Sequence, residues 1–223
     1  MKMDSPEEEN AETVGAAELM RLYAPVRPQI EKRLGEFRRI QETASDDELF
    51  RELVFCLLTP QSRARTCWDA VLRLERESLV AQGEACRIQE ELTGVRFHQR
   101  KAEYICRARE MFSKVPLRST LNEFSSSFAA REWLVKNVLG LGYKEASHFL
   151  RNIGLGEDLA ILDRHILKNL LLLGVIDEVP ASLSRSSYLE IERRMTEFSK
   201  AVGIPMGHLD LLLWYKEAGE IFK

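Results

Sequence analysis

Apolar residues recur at three- and four-residue spacing through nearly every segment of the chain, broken by turn signals, and no stretch sustains a period-two alternation. The pattern predicts an all-α protein. In "SDDELFRELVFCLL" a serine, Ser45, stands three residues before Glu48 with capping-box spacing, and Leu49, Val54, Leu57 and Leu58 supply an apolar face until Thr59-Pro60 ends the helix. A second helix begins at Ser62. A third opens after Gly94 and runs to Phe112, and "SSFAAREWLVKNVLGLG" carries another toward Gly140 and Gly142. Further helices are expected from about Tyr143, from Asp163 to Leu173, from Ser187 to Ala201, and after Pro205. About nine helices with short connections suggest a compact bundle in one or two lobes. Residues 1–17 are polar and acidic and read as a disordered tail outside the fold.

Composition agrees with that class and adds little about partners. The chain is 45% hydrophobic and 30% charged, with only 12 Gly and 7 Pro in 223 residues, which favours a soluble, helical protein. The formal net charge is -3. The first twenty residues hold six acids against Lys2, a local balance of -5, so the remainder carries +2. A near-neutral total neither demands nor excludes nucleic acid, because counterion release needs only a local basic surface. The four cysteines, Cys56, Cys67, Cys86 and Cys106, form no C-x-x-C and no tight ligand cluster, and are read as buried free thiols. None of His98, His148, His165 and His208 has metal-ligand spacing. The start "MKMDSPEEEN" lacks an apolar stretch, and "LLLLGVI" and "LVFCLL" are too short to span a bilayer. The expected setting is an intracellular, reducing compartment.

The chemistry concentrates in "LGLGYKEASHFLRNIGLGEDLAILDRHIL". Gly140 and Gly142 permit positive φ and close backbone approach, and the turn exposes N–H groups at the start of the next helix, a setting for a phosphate oxygen. A helix C-cap followed by a tight turn explains the same glycines. Lys144 sits in the first turn of that helix, where the macrodipole disfavours a cation. A positive helix end and partial burial both favour the neutral amine that attacks carbon, whereas the plain alternative is a solvated surface lysine. Asp163 precedes "RHILKNLLLLG" and is explained by helix capping, yet a carboxylate fixed there also suits stabilisation of a developing sugar cation or removal of a proton.

Together, "VLGLGYKEASHFL" and "LDRHIL" resemble the helix-hairpin-helix, glycine/proline-rich loop and aspartate signature of base-excision DNA glycosylases. The hairpin form there is L-P-G-x-G-x-K, and this chain departs from it at Leu139, where the proline is usual. "LLTPQSRA" matches a third element, the L-[ST]-x-Q-[ST] turn. Within that superfamily, "LVFCLLTPQSRARTCWDAVLRL", "GVRFHQRKAEYI" and "GHLDLLLWYKEAGEIFK" resemble the type-2, or archaeal-type, 8-oxoguanine DNA glycosylase/AP lyases over residues 45–223.

The resemblance implies that Lys144 is the nucleophile, Asp163 the catalytic carboxylate, and Gln61 the residue that enters the duplex beside an extruded nucleotide. It implies that Asp210 and Trp214, four apart on one helix face, line the base pocket with the terminal Lys223. Core packing for Trp214 and a first-turn acid for Asp210 are the bland readings. Phe97 is a weaker candidate for the other stacking face. Arg96, His98, Arg100 and Lys101 form a basic cluster that, with Arg63 and Arg65, can hold phosphates or simply face solvent.

The implied fold has a central lobe over 45–150, a second lobe from 18–44 plus 155–223, and an active groove between them. No redox cofactor and no required divalent metal are implied. The expected partner is double-stranded DNA with 8-oxoguanine or abasic sites, met by a monomer away from membranes in a prokaryotic cytoplasm. The rivals are a related glycosylase for another damaged base and a non-catalytic helix-hairpin-helix DNA-binding module.

Overall fold

The structure, a computed structural model, describes the backbone of residues 6–223 and the side chains of residues 15–223; most of the tail expected over 1–17 lies outside the described side chains. Twelve helices and no strand occur among the described residues. Helix α1 (Pro6–Thr43) buries one stripe, Leu19, Tyr23, Val26, Ile30, Leu34 and Phe37, at three- and four-residue spacing. Pro25 and Pro28 lie inside it on the exposed face, where the carbonyls they leave unbonded can be met by water.

The chain divides into two compact units. One comprises residues 37–156 with Lys223, and the other residues 1–36 with 157–222.

In the first, α2 (Asp46–Leu58) is the core: residues Glu52 to Leu58 are all buried, so the helix is enclosed on every side. Its start is the expected capping box, with the Glu48 N–H donated to Ser45 Oγ at 3.2 Å and the Ser45 N–H to Glu48 Oε2 at 2.8 Å. Around it run α3 (Ala64–Arg76), α4 (Leu79–Gln82), α5 (Ala85–Glu91), α6 (His98–Lys114), α7 (Leu117–Asn122), α8 (Ser127–Asn137) and α9 (Tyr143–Asn152). Helix α2 packs against α3, α4, α6, α7 and α9.

The other unit holds α10 (Arg164–Leu172), α11 (Arg185–Val202) and α12 (Met206–Ala218), with α12 packed on both α10 and α11.

Twelve helices replace the nine expected because α4, α5 and α7 are short, and a segment of fewer than two turns shows no readable period. Helix α6 starts at His98, later than expected, because Phe97 adopts φ +57, which no α-helix accepts. Helix α8 stops at Asn137, where Val138 turns extended. The cysteines are not uniformly buried: Cys56 and Cys67 are, Cys106 is half-buried, and Cys86 is exposed at the start of α5.

Candidate active site

Between α8 and α9 the chain makes a hairpin in which the Leu141 N–H is donated to the Val138 carbonyl at 3.2 Å. Gly140 has φ +94, and a Cβ there would lie 2.3 Å from the Tyr104 ring. Both conformation and space therefore require glycine. Leu139, at the place of the usual proline, points outward and is 50% exposed. Gly142 caps α9 with no side chain, so the first-turn N–H groups of α9 are not side-chain capped. The crossing is braced from within: buried Arg131 donates to Ser147 Oγ at 3.1 Å and lies against the Phe128 and Tyr143 rings, and the Tyr143 hydroxyl donates to Glu132 at 2.7 Å.

That brace carries Lys144 at the head of α9. Its side chain is 22% exposed, and Nζ donates to the Thr59 hydroxyl at 3.4 Å and lies 3.7 Å from Glu145 Oε1. One turn on, His148 is fully buried and held neutral, first by burial and then by the nearby charges of Arg151 and Lys144.

The backbone of Lys223 lies against the same imidazole. The Lys223 side chain inserts into an aromatic slot, with Nζ 3.5 Å from the Trp68 ring centre and 5.6 Å from that of Phe55. Its ammonium is paired with Glu52, which is 3% exposed. Glu52 also accepts from Asn152 Nδ2 at 3.3 Å, and Asn152 Oδ1 accepts from Arg151 at 3.2 Å. Burial lowers the affinity of Lys223 for its proton, and Glu52 opposes that effect. Lys144 and Lys223, 79 positions apart in sequence, are thus brought to one neighbourhood around His148 and Cys56.

Gln61 projects from the turn between α2 and α3. It is exposed and has φ +55, a left-handed conformation rare outside glycine, asparagine and aspartate. Phe97, 51% exposed, is a second left-handed tip. The two turns are tied by the Arg96 N–H, which donates to Ser62 Oγ at 3.0 Å. Arg63, Arg65, Arg96, His98 and Arg100 are exposed. Lys101 departs from the expected basic cluster: it is 3% exposed, because its α6 position shares the inward face with Ile105 and Ala108.

In the second unit Asp163 caps α10, with Oδ1 accepting the His165 and Ile166 N–H groups at 2.8 and 2.9 Å. The capping role is present as read from the sequence. The His165 ring meets the Trp214 indole edge-on at 5.3 Å and lies 3.5 Å from Glu217. Glu217 also accepts from Lys168 and Asn169, and these bonds hold its carboxyl below the usual range. Trp214 is half-buried on α12 and its indole Nε1 has no hydrogen-bond partner; Asp210, one turn before it, is 4% exposed. Glu52, Trp68, His148 and Glu217 were not singled out from sequence. For Glu52 the available signal was a lone acid leading an apolar run of six.

A glycine hairpin joining α8 to a lysine-bearing α9 defines a helix-hairpin-helix protein. The family profile described as 8-oxoguanine DNA glycosylase matches residues 30–204. A relative from Fusobacterium nucleatum named 8-oxoguanine DNA glycosylase/AP lyase is 46% identical over 209 residues, which cover 92% of this chain and 96% of the relative. One of the same name from Korarchaeum cryptofilum is 45% identical over 215 residues, covering 92% and 96%. Among solved structures, the 8-oxoguanine DNA glycosylase of Thermotoga maritima matches with a TM-score of 0.86 at 36% identity, covering 95% of this chain and 100% of that one. The Methanocaldococcus jannaschii 8-oxoguanine glycosylase/lyase, in complex with DNA containing 8-oxoguanine, matches with a TM-score of 0.83 at 36% identity, covering 93% and 99%. The chain belongs to the 8-oxoguanine DNA glycosylase family.

Proposed function

We propose that this chain removes 8-oxoguanine from duplex DNA and then nicks the strand at the resulting abasic site, with Lys144 as nucleophile. The observation that carries this reading is the setting of Lys144: an amine in the first turn of α9, behind a hairpin that only glycine can form, hydrogen-bonded to the Thr59 hydroxyl at 3.4 Å with the Glu145 carboxylate 3.7 Å away. Nζ attacks C1′ of the damaged nucleoside, the C1′–N9 bond breaks, and the base leaves with the electron pair and takes up a proton. The amine loses its protons as the sugar opens to a Schiff base. Removal of a C2′ proton then expels the 3′ phosphate, and water releases the enzyme.

Asp163 supports the developing positive charge of the sugar; Oδ1 is engaged by helix N–H groups, which leaves Oδ2 for substrate. Reaching C1′ requires the lesion to leave the stack, at a cost of about a few kcal/mol. Gln61 takes up the vacated space. Asp210, Trp214 and Lys223 recognise the extruded purine, and Phe97 offers a further stacking ring. Gly140 and Gly142 admit a phosphate to the α9 N–H groups, with Arg63 and Arg100 on neighbouring phosphates. Among the described residues no helix is long and apolar enough to cross a membrane. The chain works as a monomer in a prokaryotic cytoplasm, where its DNA substrate is.

Borohydride trapping tests the reading. An 8-oxoguanine duplex should give a covalent adduct that a thymine-glycol duplex does not, and Lys144→Gln should keep duplex binding and lose the adduct. Adduct with thymine glycol alone would favour a glycosylase for another base. No adduct from folded protein on either duplex would leave a DNA-binding module.

A further inference from the structure

We propose that Lys101 is a positioning residue for the glycosylase reaction: its ammonium ties the end of α2 to the Thr59–Ser62 turn, fixing where the Thr59 hydroxyl meets Lys144 and where Gln61 projects. The proposal rests on the reading of Lys144 as the nucleophile. Lys101 Nζ donates to the Leu58 carbonyl at 2.7 Å, the Pro60 carbonyl at 2.7 Å and Ser62 Oγ at 3.2 Å. An ammonium has three N–H donors, and all three are used. All three acceptors are neutral. One is a terminal carbonyl of α2, which has no partner within its own helix and attracts a cation.

The turn needs that hold. The Ser62 N–H closes it on the Thr59 carbonyl at 3.0 Å, with Pro60 and Gln61 at its centre. Pro60 suits the first central position, but at the second, φ +55 is where glycine or asparagine is usual. A non-glycine residue there persists only when its surroundings over-determine it. Lys101 holds the carbonyl immediately before Gln61 and the side chain immediately after it. Ser62 also takes the Arg96 N–H, so the same anchor reaches the Phe97 turn.

The link to chemistry is Thr59. Its hydroxyl donates to the Cys56 carbonyl at 2.9 Å, so the oxygen faces Lys144 as an acceptor only. A Lys144 amine that donates one N–H to that oxygen has its lone pair aimed in a set direction. Moving the turn would move both the amine and the wedge. Burial draws the Lys101 proton affinity down to about 8; Cys67 and Glu145 act to raise it, Lys144 and Arg96 to lower it. On the alkaline side of neutrality the anchor therefore loses its charge and one of its three N–H donors.

Lys101→Met and Lys101→Arg separate the possibilities in the full-length chain. With an 8-oxoguanine duplex and with a preformed abasic site, Lys101→Met should slow single-turnover cleavage about 100-fold, the scale of an ångström-sized misplacement. Its affinity for undamaged duplex and its melting temperature should stay near wild type. Wild-type rate should fall along an alkaline limb near pH 8 that Lys101→Met lacks, and Lys101→Arg should recover part of the rate with the limb moved upward. An unchanged rate in Lys101→Met overturns the proposal. So does loss of duplex affinity with the rate constant intact, which would make Lys101 a phosphate contact. A loss of rate that parallels loss of stability, with the pH profile unaltered, assigns it to folding alone. A wild-type chain that forms no borohydride adduct removes the underlying reading as well, and is recognised before any variant is compared.

Discussion

Asp163 is both a helix cap and the proposed catalytic carboxylate, and Asp163→Asn separates the two. Oδ1 accepts two N–H groups at 2.8 and 2.9 Å. Asparagine at an N-cap accepts the same bonds about as well, so the substitution removes only the attraction of charge to the helix end, about 0.3–1 kcal/mol. Asp163→Ala removes the cap itself, at about 1 kcal/mol. In a chain of this length 1 kcal/mol corresponds to roughly 2–4 °C in melting temperature. Asp163→Asn should therefore melt within a few degrees of wild type, and Asp163→Ala slightly lower. Excision should behave otherwise, since a positioned acid–base group contributes about 10²–10⁴ in rate. Both variants should lose excision on that scale although only one loses the cap. The assay pairs a thermal melt followed at the helical circular-dichroism band with single-turnover excision from an 8-oxoguanine duplex. Wild-type excision by Asp163→Asn would show that capping is the whole role of this residue.

Gly140→Ala, at φ +94 and with its Cβ directed into the Tyr104 ring, should destabilise the chain by about 1–3 kcal/mol and weaken duplex binding; a wild-type melt would contradict the hairpin geometry. Glu52→Gln leaves the buried Lys223 ammonium without its counter-charge, an expected loss of about 3–5 kcal/mol in urea unfolding, which the Glu52→Gln, Lys223→Met double variant should largely restore. Burial holds Lys101 at about 8 against an ordinary 10.5, so the folded state is penalised by its proton below pH 8 and the penalty is relieved as pH rises from 8 to 10.5. Urea unfolding across that window should show a rising contribution to stability in wild type that Lys101→Met lacks.

Much of the fold was legible because its helix starts are written locally. The Ser45–Glu48 box, the Asp163 cap, the Gly142 start of α9 and the Pro205 start of α12 each depend on residues within one turn. Helices α4, α5 and α7 were missed because they are only 4, 7 and 6 residues long, too short to show a period, and no side-chain N-cap bond marks their starts. The candidate site divides in the same way. Lys144 and Asp163 stand at helix starts and can be found by motif. Lys101 was hidden in the run "RFHQRK", which reads as a basic surface. Its spacing of four and seven from buried Ile105 and Ala108 marks the inward face, but the adjacent Arg100 masks that period. Nothing local to "EIFK" announces that Lys223 finds Glu52, 171 positions away.

The buried charges of the unit that carries Lys144 are more than packing requires. Glu52, Lys101, Arg131, Arg151 and the Lys223 side chain are each nearly closed off from water, and all lie on or against α2, α6, α8 or α9. Such groups contribute little net stability, since desolvation offsets most of their attraction, and apolar residues of similar volume often do as well. What they supply is position: a charge in a dry site tolerates few arrangements of its partners. Three of them fix something next to Lys144, namely the Thr59–Ser62 turn for Lys101, the α8–α9 crossing for Arg131, and the place of Lys223 for Glu52. Lys144 itself is treated differently: it is half-buried, and its contacts, the Thr59 hydroxyl at 3.4 Å and Glu145 Oε1 at 3.7 Å, are both long, which leaves its amine available to react. Replacing Glu52 and Lys223 together by apolar residues of like shape should therefore preserve or raise the melting temperature while slowing excision, because the pair is retained for where it places the segment around Lys223 and not for the stability it adds.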